Sequence, residues 1–262
     1  MNSTYGCETA LLSVTDTEYK AVLHMHDWES FRMPGDEQPY ERASFARGGR
    51  EYRLIHAKIG EMGMTAASSC AMKIICTFHP RYIIMVGIAA GVALSTVAEQ
   101  IYGDVIVPDV VWNYAVGKFV NPEAAYITFG DVGFLPRSTS VTVPEKVLRY
   151  VREAVASEEN QCHVLVGPMA CGSTVVANRA VLEKQVHSQF KDTMGLDMES
   201  YAVVYAALHG PSPRPLPLIV KSVCDYANSE KSDQYQKFAA YTSCEFAKLL
   251  YERFLPLEDD ED

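Results

Sequence analysis

Apolar positions along the chain fall into short runs that switch between two spacings. TALLSVT (residues 9–15) is a compact apolar run suited to a strand, and TEYKAVLHM after it begins a helix. Residues 28–50 carry Pro34, Gly35, Pro39, Gly48 and Gly49, which predicts a loop or irregular excursion. EYRLIHAKIG (51–60) alternates as a strand does, and MTAASSCAMKIICTFH (64–79) suits a helix stopped by Pro80. YIIMVGIAA (82–90) holds no polar side chain apart from a tyrosine hydroxyl, the mark of a central strand buried on both faces. GDVIVPDVVWNY (103–114) predicts a strand pair or one bent strand, punctuated by Pro108.

Pro144 can open a helix carrying Val147, Leu148, Val151 and Val155 on one face. HVLVGPMA (163–170) reads as one strand, and Leu182, Val186 and Phe190 mark a helix stripe. After GLDMES (195–200) the run YAVVYAAL is helix-like, and LPLIVKSVCD (216–225) is another buried strand. The final helix is expected from Tyr235 to Phe254, with Phe246, Leu249, Leu250 and Phe254 facing the core. Strands and helices alternate throughout, so the fold class is α/β: a single domain over 1–255, with a mixed central β-sheet flanked by helices. An acidic tail over 256–262, ending EDDED, is expected to be solvated and disordered.

The chain has 262 residues, 48% of them hydrophobic, enough for a sizeable core. A net charge of −10 argues against nucleic acid and anionic membrane surfaces as partners, since both require a basic face. The seven cysteines are scattered, with no CxxC pair and no His/Cys cluster at zinc spacing, so neither a metal nor another cofactor is expected. Reduced thiols suit the cytoplasm. The start, MNSTYGCETALLSV, lacks the basic region and long apolar core of a secretory signal, and no apolar stretch is long enough to span a bilayer. These points favour a cytoplasmic protein acting on a small molecule.

Four segments could carry chemistry, because ligands of α/β sheets gather beyond the carboxyl ends of strands. VGIAAGV (86–92) places Gly87 and Gly91 where backbone amides can approach a ligand, or where the chain simply turns. It is not GxGxxG, so a nicotinamide dehydrogenase fits poorly. Asp225, in KSVCDYAN, follows an apolar strand and suits a proton donor, though a turn or capping aspartate looks the same. Glu18, in a first helical turn, is either a helix-dipole partner or a site acid. In GLDMES, an extended backbone over 194–199 would put Asp197 and Glu199 on one side and Met198 on the other; helix capping is the alternative.

Taken in order, VGIAAGV with GDVIVPDVV, GPMACGSTVVAN, GLDMES and KSVCDYAN resemble the purine nucleoside phosphorylase/nucleosidase superfamily. The likeness runs from Thr9 to Phe254 and leans toward the methylthioadenosine/adenosylhomocysteine nucleosidases. GPMACGSTVVAN and KSVCDYANSEKSDQYQKFAAYTS further resemble a bacterial branch often joined to regulatory or antiphage defence modules, where a nucleotide can replace a thioether nucleoside. The resemblance implies a nucleoside phosphorylase-like three-layer sandwich, a homodimer or higher homo-oligomer, and cleavage of the N-glycosidic bond of a purine nucleoside or nucleotide, with adenine as the base.

By the same resemblance Asp225 is the general acid that protonates purine N7, and Glu18 orients or deprotonates water. Glu199 binds ribose hydroxyls and Met198 packs on the sugar. Asp197 stands where the nucleosidases usually have the longer Glu. Val175 and Val176 wall the base, with valine in place of the usual stacking aromatic. Ile88, beside Ala89 in the glycine turn, replaces a frequent serine, and Cys224 replaces the serine before the catalytic Asp. SVTDTEYKAV has no arginine, and Met85 and Val86 precede Gly87, so the phosphate-holding arginines of the phosphorylases are missing and hydrolysis is favoured. A phosphate-dependent phosphorylase and a non-catalytic nucleotide-binding module are the alternatives. Arg42, Arg47, Lys118 and Lys221 are offered to a 5′-phosphate, each with solvated surface charge as its ordinary reading.

Overall fold

The computed structural model describes residues 5–92, 100–227 and 233–257. Part of the expected tail (258–262), the last residue of KSVCDYAN and the four that follow it (228–232) lie outside the described residues. The first half of the chain runs β1 (Cys7–Ser13), α1 (Asp16–Leu23), β2 (Glu29–Arg32), β3 (Pro39–Arg47), β4 (Arg50–Lys58), α2 (Met64–Phe78) and β5 (Pro80–Gly91). Next come β6 (Val105–Val107), β7 (Val110–Asn113), β8 (Gly117–Val120), β9 (Ile127–Phe129), β10 (Val132–Pro136), β11 (Thr139–Thr142) and α3 (Glu145–Val155). The remainder is β12 (Val164–Val166), β13 (Met169–Cys171), α4 (Arg179–Val181), β14 (Gly195–Asp197), α5 (Ser200–His209), β15 (Leu216–Asp225) and α6 (Gln236–Leu249).

β5 is the hub of the main sheet. It pairs in parallel with β1 on one side and β15 on the other, and its last residues take β14 antiparallel at Gly91 and Ala90. Ile83, Ile84, Met85 and Val86 are wholly buried, as a strand covered on both faces requires. Among the described residues the sheet has twelve strands of mixed direction; α2 packs on α5 against one face and α1 on α6 against the other, giving three layers. A separate three-stranded sheet, β8–β10–β9, stands off this core.

Several expectations need correction. Residues 28–50 are not an irregular excursion: β2 and β3 extend the sheet beyond β4. Gly48 and Gly49, at φ 61° and 79°, form the two-residue turn of the β3–β4 hairpin, closed by the Arg47–Arg50 pair. Positive φ at both turn residues matches strand twist, which lets two glycines close the hairpin. HVLVGPMA is two strands, not one; the chain breaks at Gly167–Pro168, β12 joining β6 and β13 joining β7 and β14. The Leu182 stripe winds as a π-helical turn over Leu182–His187, which buries Leu182 and Val186 and leaves Phe190 exposed beyond its end. The last helix likewise ends in a π-helical turn, Leu250–Phe254. Residues 194–199 are not extended throughout: the strand stops at Asp197, and Glu199 adopts φ −133°, ψ −30° as the residue before α5.

Candidate active site

Glu18 is placed by its own helix start. The Thr15 hydroxyl accepts from the Glu18 amide while Glu18 Oε2 accepts from the Thr15 amide at 2.7 Å, a reciprocal cap. The same Oε2 takes the Val14 N–H at 2.9 Å, and Oε1 takes the Ile88 N–H at 2.8 Å and Lys221 Nζ at 3.3 Å. Burial by itself would raise the pKa of this carboxyl, but the Lys221 charge and the Thr15, Ile88 and Val14 amides hold it below the usual range. Gly87 makes the approach possible: a Cβ there, at φ 146°, would lie 1.8 Å from Glu18 Oε1.

Lys221 corrects a sequence reading. It is no solvated surface charge but 1% exposed, on β15, 3.3 Å from Glu18 and 4.0 Å from Asp197. Burial opposes its charge, yet Glu18, Asp197 and Glu199 together raise its pKa above that of an ordinary lysine. Arg42 instead forms an exposed ion pair with Glu29, Arg47 binds the Glu252 and Leu255 carbonyls, and Lys118 is exposed on β8. None of these three lines the cavity described below.

The GLDMES segment divides its labour. Asp197 turns toward the start of α5, where its carboxylate accepts from both the amide and the hydroxyl of Ser200. Glu199 Oε1 accepts from the Gly63 N–H at 2.7 Å, at the N-terminus of α2. Burial pushes the Glu199 pKa up; Lys221 and the Gly63 amide oppose, Asp197 and Glu18 add to the rise, and the result is about 7.

At the end of β15 the register slips: Val223 pairs with Ala89 and Asp225 with Ala90, leaving Cys224 as an extra residue. This bulge lets adjacent Cys224 and Asp225 both face the cavity, which regular alternation forbids. Asp225 Oδ1 accepts from the Ala227 amide at 2.9 Å and Oδ2 receives the Cys224 thiol at 3.4 Å.

The ten residues to which the family resemblance gives acid, water, sugar or base positions meet around one cavity of about 160 Å³: Glu18, Ile88, Ala89, Val175, Val176, Asp197, Met198, Glu199, Cys224 and Asp225. Its lining, mostly apolar with a few convergent polar groups, is of the kind that holds a small organic ligand. Sequence reasoning missed Tyr114, which supplies an aromatic wall where only valines were expected; its hydroxyl donates to the Thr174 carbonyl at 2.9 Å. Met62, at the rim just before α2, was also missed. Among the described residues, no group of three or more His, Cys, Asp or Glu is placed to hold a metal ion, and no helix is long and apolar enough to cross a membrane.

A three-layer α/β sandwich with an acid-lined cavity at the strand ends defines a nucleoside phosphorylase-like protein. Residues 8–255 match the model of the phosphorylase superfamily, and the chain belongs to that family. The fold is shared with solved nucleosidases. The 5′-methylthioadenosine/S-adenosylhomocysteine nucleosidase of Helicobacter pylori superposes with a TM-score of 0.72 at 17% identity, covering 94% of this chain and 98% of that one. The corresponding enzyme of Neisseria meningitidis gives 0.70 at 17%, over 94% and 98%. Futalosine hydrolase of H. pylori gives 0.71 at 18%, over 94% and 97%. An uncharacterized protein, y4jS, of Sinorhizobium fredii is 29% identical over 239 residues, 87% of this chain and 56% of y4jS. The chain thus spans about half the length of that curated relative.

Proposed function

We propose that the chain hydrolyses the N-glycosidic bond of a purine nucleoside, with adenine as the base released and water as the nucleophile. The observation that carries this reading is Glu18, buried yet held ionised at the cavity by three backbone amides and Lys221. A fixed negative charge there repels phosphate and accepts a hydrogen bond from water. So many donors leave Glu18 a weak base, which suits a reaction whose C–N bond breaks early through an oxocarbenium-like sugar. The surrounding carboxylates stabilise the positive charge that develops on that sugar.

In this mechanism Asp225 gives its proton to purine N7, and the glycosidic electron pair leaves with the base. Water oriented by Glu18 adds to the sugar carbon and passes its surplus proton to the Glu18 carboxylate, from which it returns to solvent. Glu199 accepts from the ribose hydroxyls and Met198 packs on the sugar, while Val175, Val176 and Tyr114 wall the base. Among the described residues Lys221 is the one cation lining the cavity, and it is committed to carboxylates. That balance favours an uncharged 5′ substituent over a phosphate. Membership of the phosphorylase superfamily and the fold shared with nucleosidases support the reaction class. The small sheet exposes Phe119 and Val132, and Tyr126 just before β9 is exposed beside them in sequence, apolar surface of the kind subunits bury, which supports a homo-oligomer.

The test is adenine release from methylthioadenosine, adenosine, AMP and ATP, each with and without phosphate. The expected result is phosphate-independent release, fastest from the two nucleosides, falling about 10²–10⁴-fold in Asp225→Asn. Strict phosphate dependence, or binding without release of base, overturns the proposal.

A further inference from the structure

A second polar cluster lies beneath the Glu18 turn. Ser13 Oγ is 2.9 Å from His56 Nε2, His56 Nδ1 is 3.0 Å from Glu41 Oε2, and the Tyr19 hydroxyl donates to Glu41 Oε1 at 2.7 Å. The Tyr19 and His56 rings also stack, with centroids 5.5 Å apart. Ser13 and His56 are fully buried and Glu41 is 4% exposed.

The connectivity Ser–His–Glu is that of a hydrolase triad, but burial closes it to substrate, and none of the three lines the cavity. Its place in the chain gives it another use. Ser13 ends β1 immediately before Val14 and Thr15, whose amides bind Glu18, and Tyr19 follows Glu18 directly. Both flanks of the turn therefore converge on one His–Glu pair carried by the neighbouring strands β3 and β4.

We propose that Glu41 and His56 are positioning residues that clamp the Glu18 turn from both ends, through Ser13 and Tyr19, and so set the geometry of the group that orients water. Burial disfavours charge on His56, while donors from His56 and Tyr19 keep Glu41 ionised against its own burial. An ionised Glu41 accepts, so His56 carries its proton on Nδ1, and Nε2 is left to accept from the Ser13 hydroxyl. Every polar atom of the chain of contacts then has one role, and the imidazole has one orientation. This inference rests on the proposed role of Glu18 for its catalytic meaning, but the clamp itself can be read without turnover.

Ser13→Ala and Tyr19→Phe each delete one hydroxyl and keep the packing, which avoids the risk that a His56 replacement unfolds the chain. In the full chain each variant is expected to speed amide hydrogen exchange at Val14 and Thr15. With the nucleoside that wild type turns over, kcat should fall about twofold to tenfold, with KM unchanged. In a Glu18→Gln background the same substitutions should cost nothing further. Unaltered exchange at Val14 and Thr15 overturns the clamp, as does an equal loss of kcat with and without Glu18. A lowered melting temperature with kcat intact assigns the cluster to stability alone and also overturns it. If wild type releases no base from any nucleoside, the nucleosidase reading fails separately, and amide exchange still decides the clamp.

Discussion

At the β1–α1 turn Glu18 receives three backbone N–H bonds and the Lys221 ammonium; at the β14–α5 junction Glu199 receives one N–H bond, from Gly63. Both carboxyls are nearly inaccessible and both feel Lys221, yet one is held below the usual carboxylate range and the other is pushed up to about 7. Burial acts on the two in the same direction, so the difference lies in the direct Lys221 contact and backbone donors at Glu18, against the neighbouring carboxylates Asp197 and Glu18 that raise Glu199. A capping turn aims several amides at one point, whereas a side chain reaching across to another helix meets a single free amide. The same residue type thereby becomes a fixed anion in one place and a titrating group in the other.

Removing the cation that the two share should have the largest effect. Lys221→Met leaves buried acids without their counter-charge and is expected to destabilise the fold by about 3–5 kcal/mol. Denaturant unfolding measures this, and a loss below about 1 kcal/mol, the range of a surface pair, would mean that the ammonium is not what balances the acids. Next in size is Gly87→Ala, whose methyl would occupy the Glu18 carboxylate position. Displacing that group by about an ångström should lower kcat about 10²-fold, while base release in Glu18→Gln should be insensitive to it.

The smallest effect is a slope. Glu199, with its pKa raised from 4.5 to about 7, binds a proton in the folded state that the unfolded chain has already released. Its contribution to stability is therefore complete below the ordinary carboxylate value and is lost as pH rises through about 7. Glu18 has the opposite sign, contributing above the ordinary value and losing that contribution as pH falls through its lowered pKa. Glu199→Gln, permanently neutral, should flatten the fall in unfolding free energy between about pH 5 and about pH 8. An unchanged slope would mean that Glu199 is ionised throughout, as Glu18 is.

The parts of the fold that read clearly from sequence are those whose residues answer to one demand. β5 and β15 are apolar because both faces are covered, and their β-branched residues mark them as strands. The β3–β4 hairpin was obscured because Gly48 and Gly49 belong equally to loops and to tight hairpins, and only the Arg47–Arg50 pairing decides between them. The site divides in the same way. Its acids stand at strand ends, a position visible in the sequence. Lys221 was marked only as one of several cations, although a lysine inside LPLIVKSVCD already departs from a buried strand's pattern. Its partner Glu18 is 203 residues away, a separation that no local pattern spans. Tyr114 was missed for a similar reason, since it enters the cavity from beyond β7 with no motif around it.

The extra residue at Cys224 makes the end of β15 sensitive to length rather than to chemistry. Ser222 faces α6, where its hydroxyl meets Thr242 at 2.8 Å. Deleting Cys224 would restore plain alternation, and the aspartate would then share the Ser222 face instead of the cavity. One lost codon would thus retire the proposed proton donor while leaving the strand's core side chains before the bulge in place. Over evolutionary time such an in-frame deletion offers this fold a route from a catalytic cavity to a silent binding one without a single substitution.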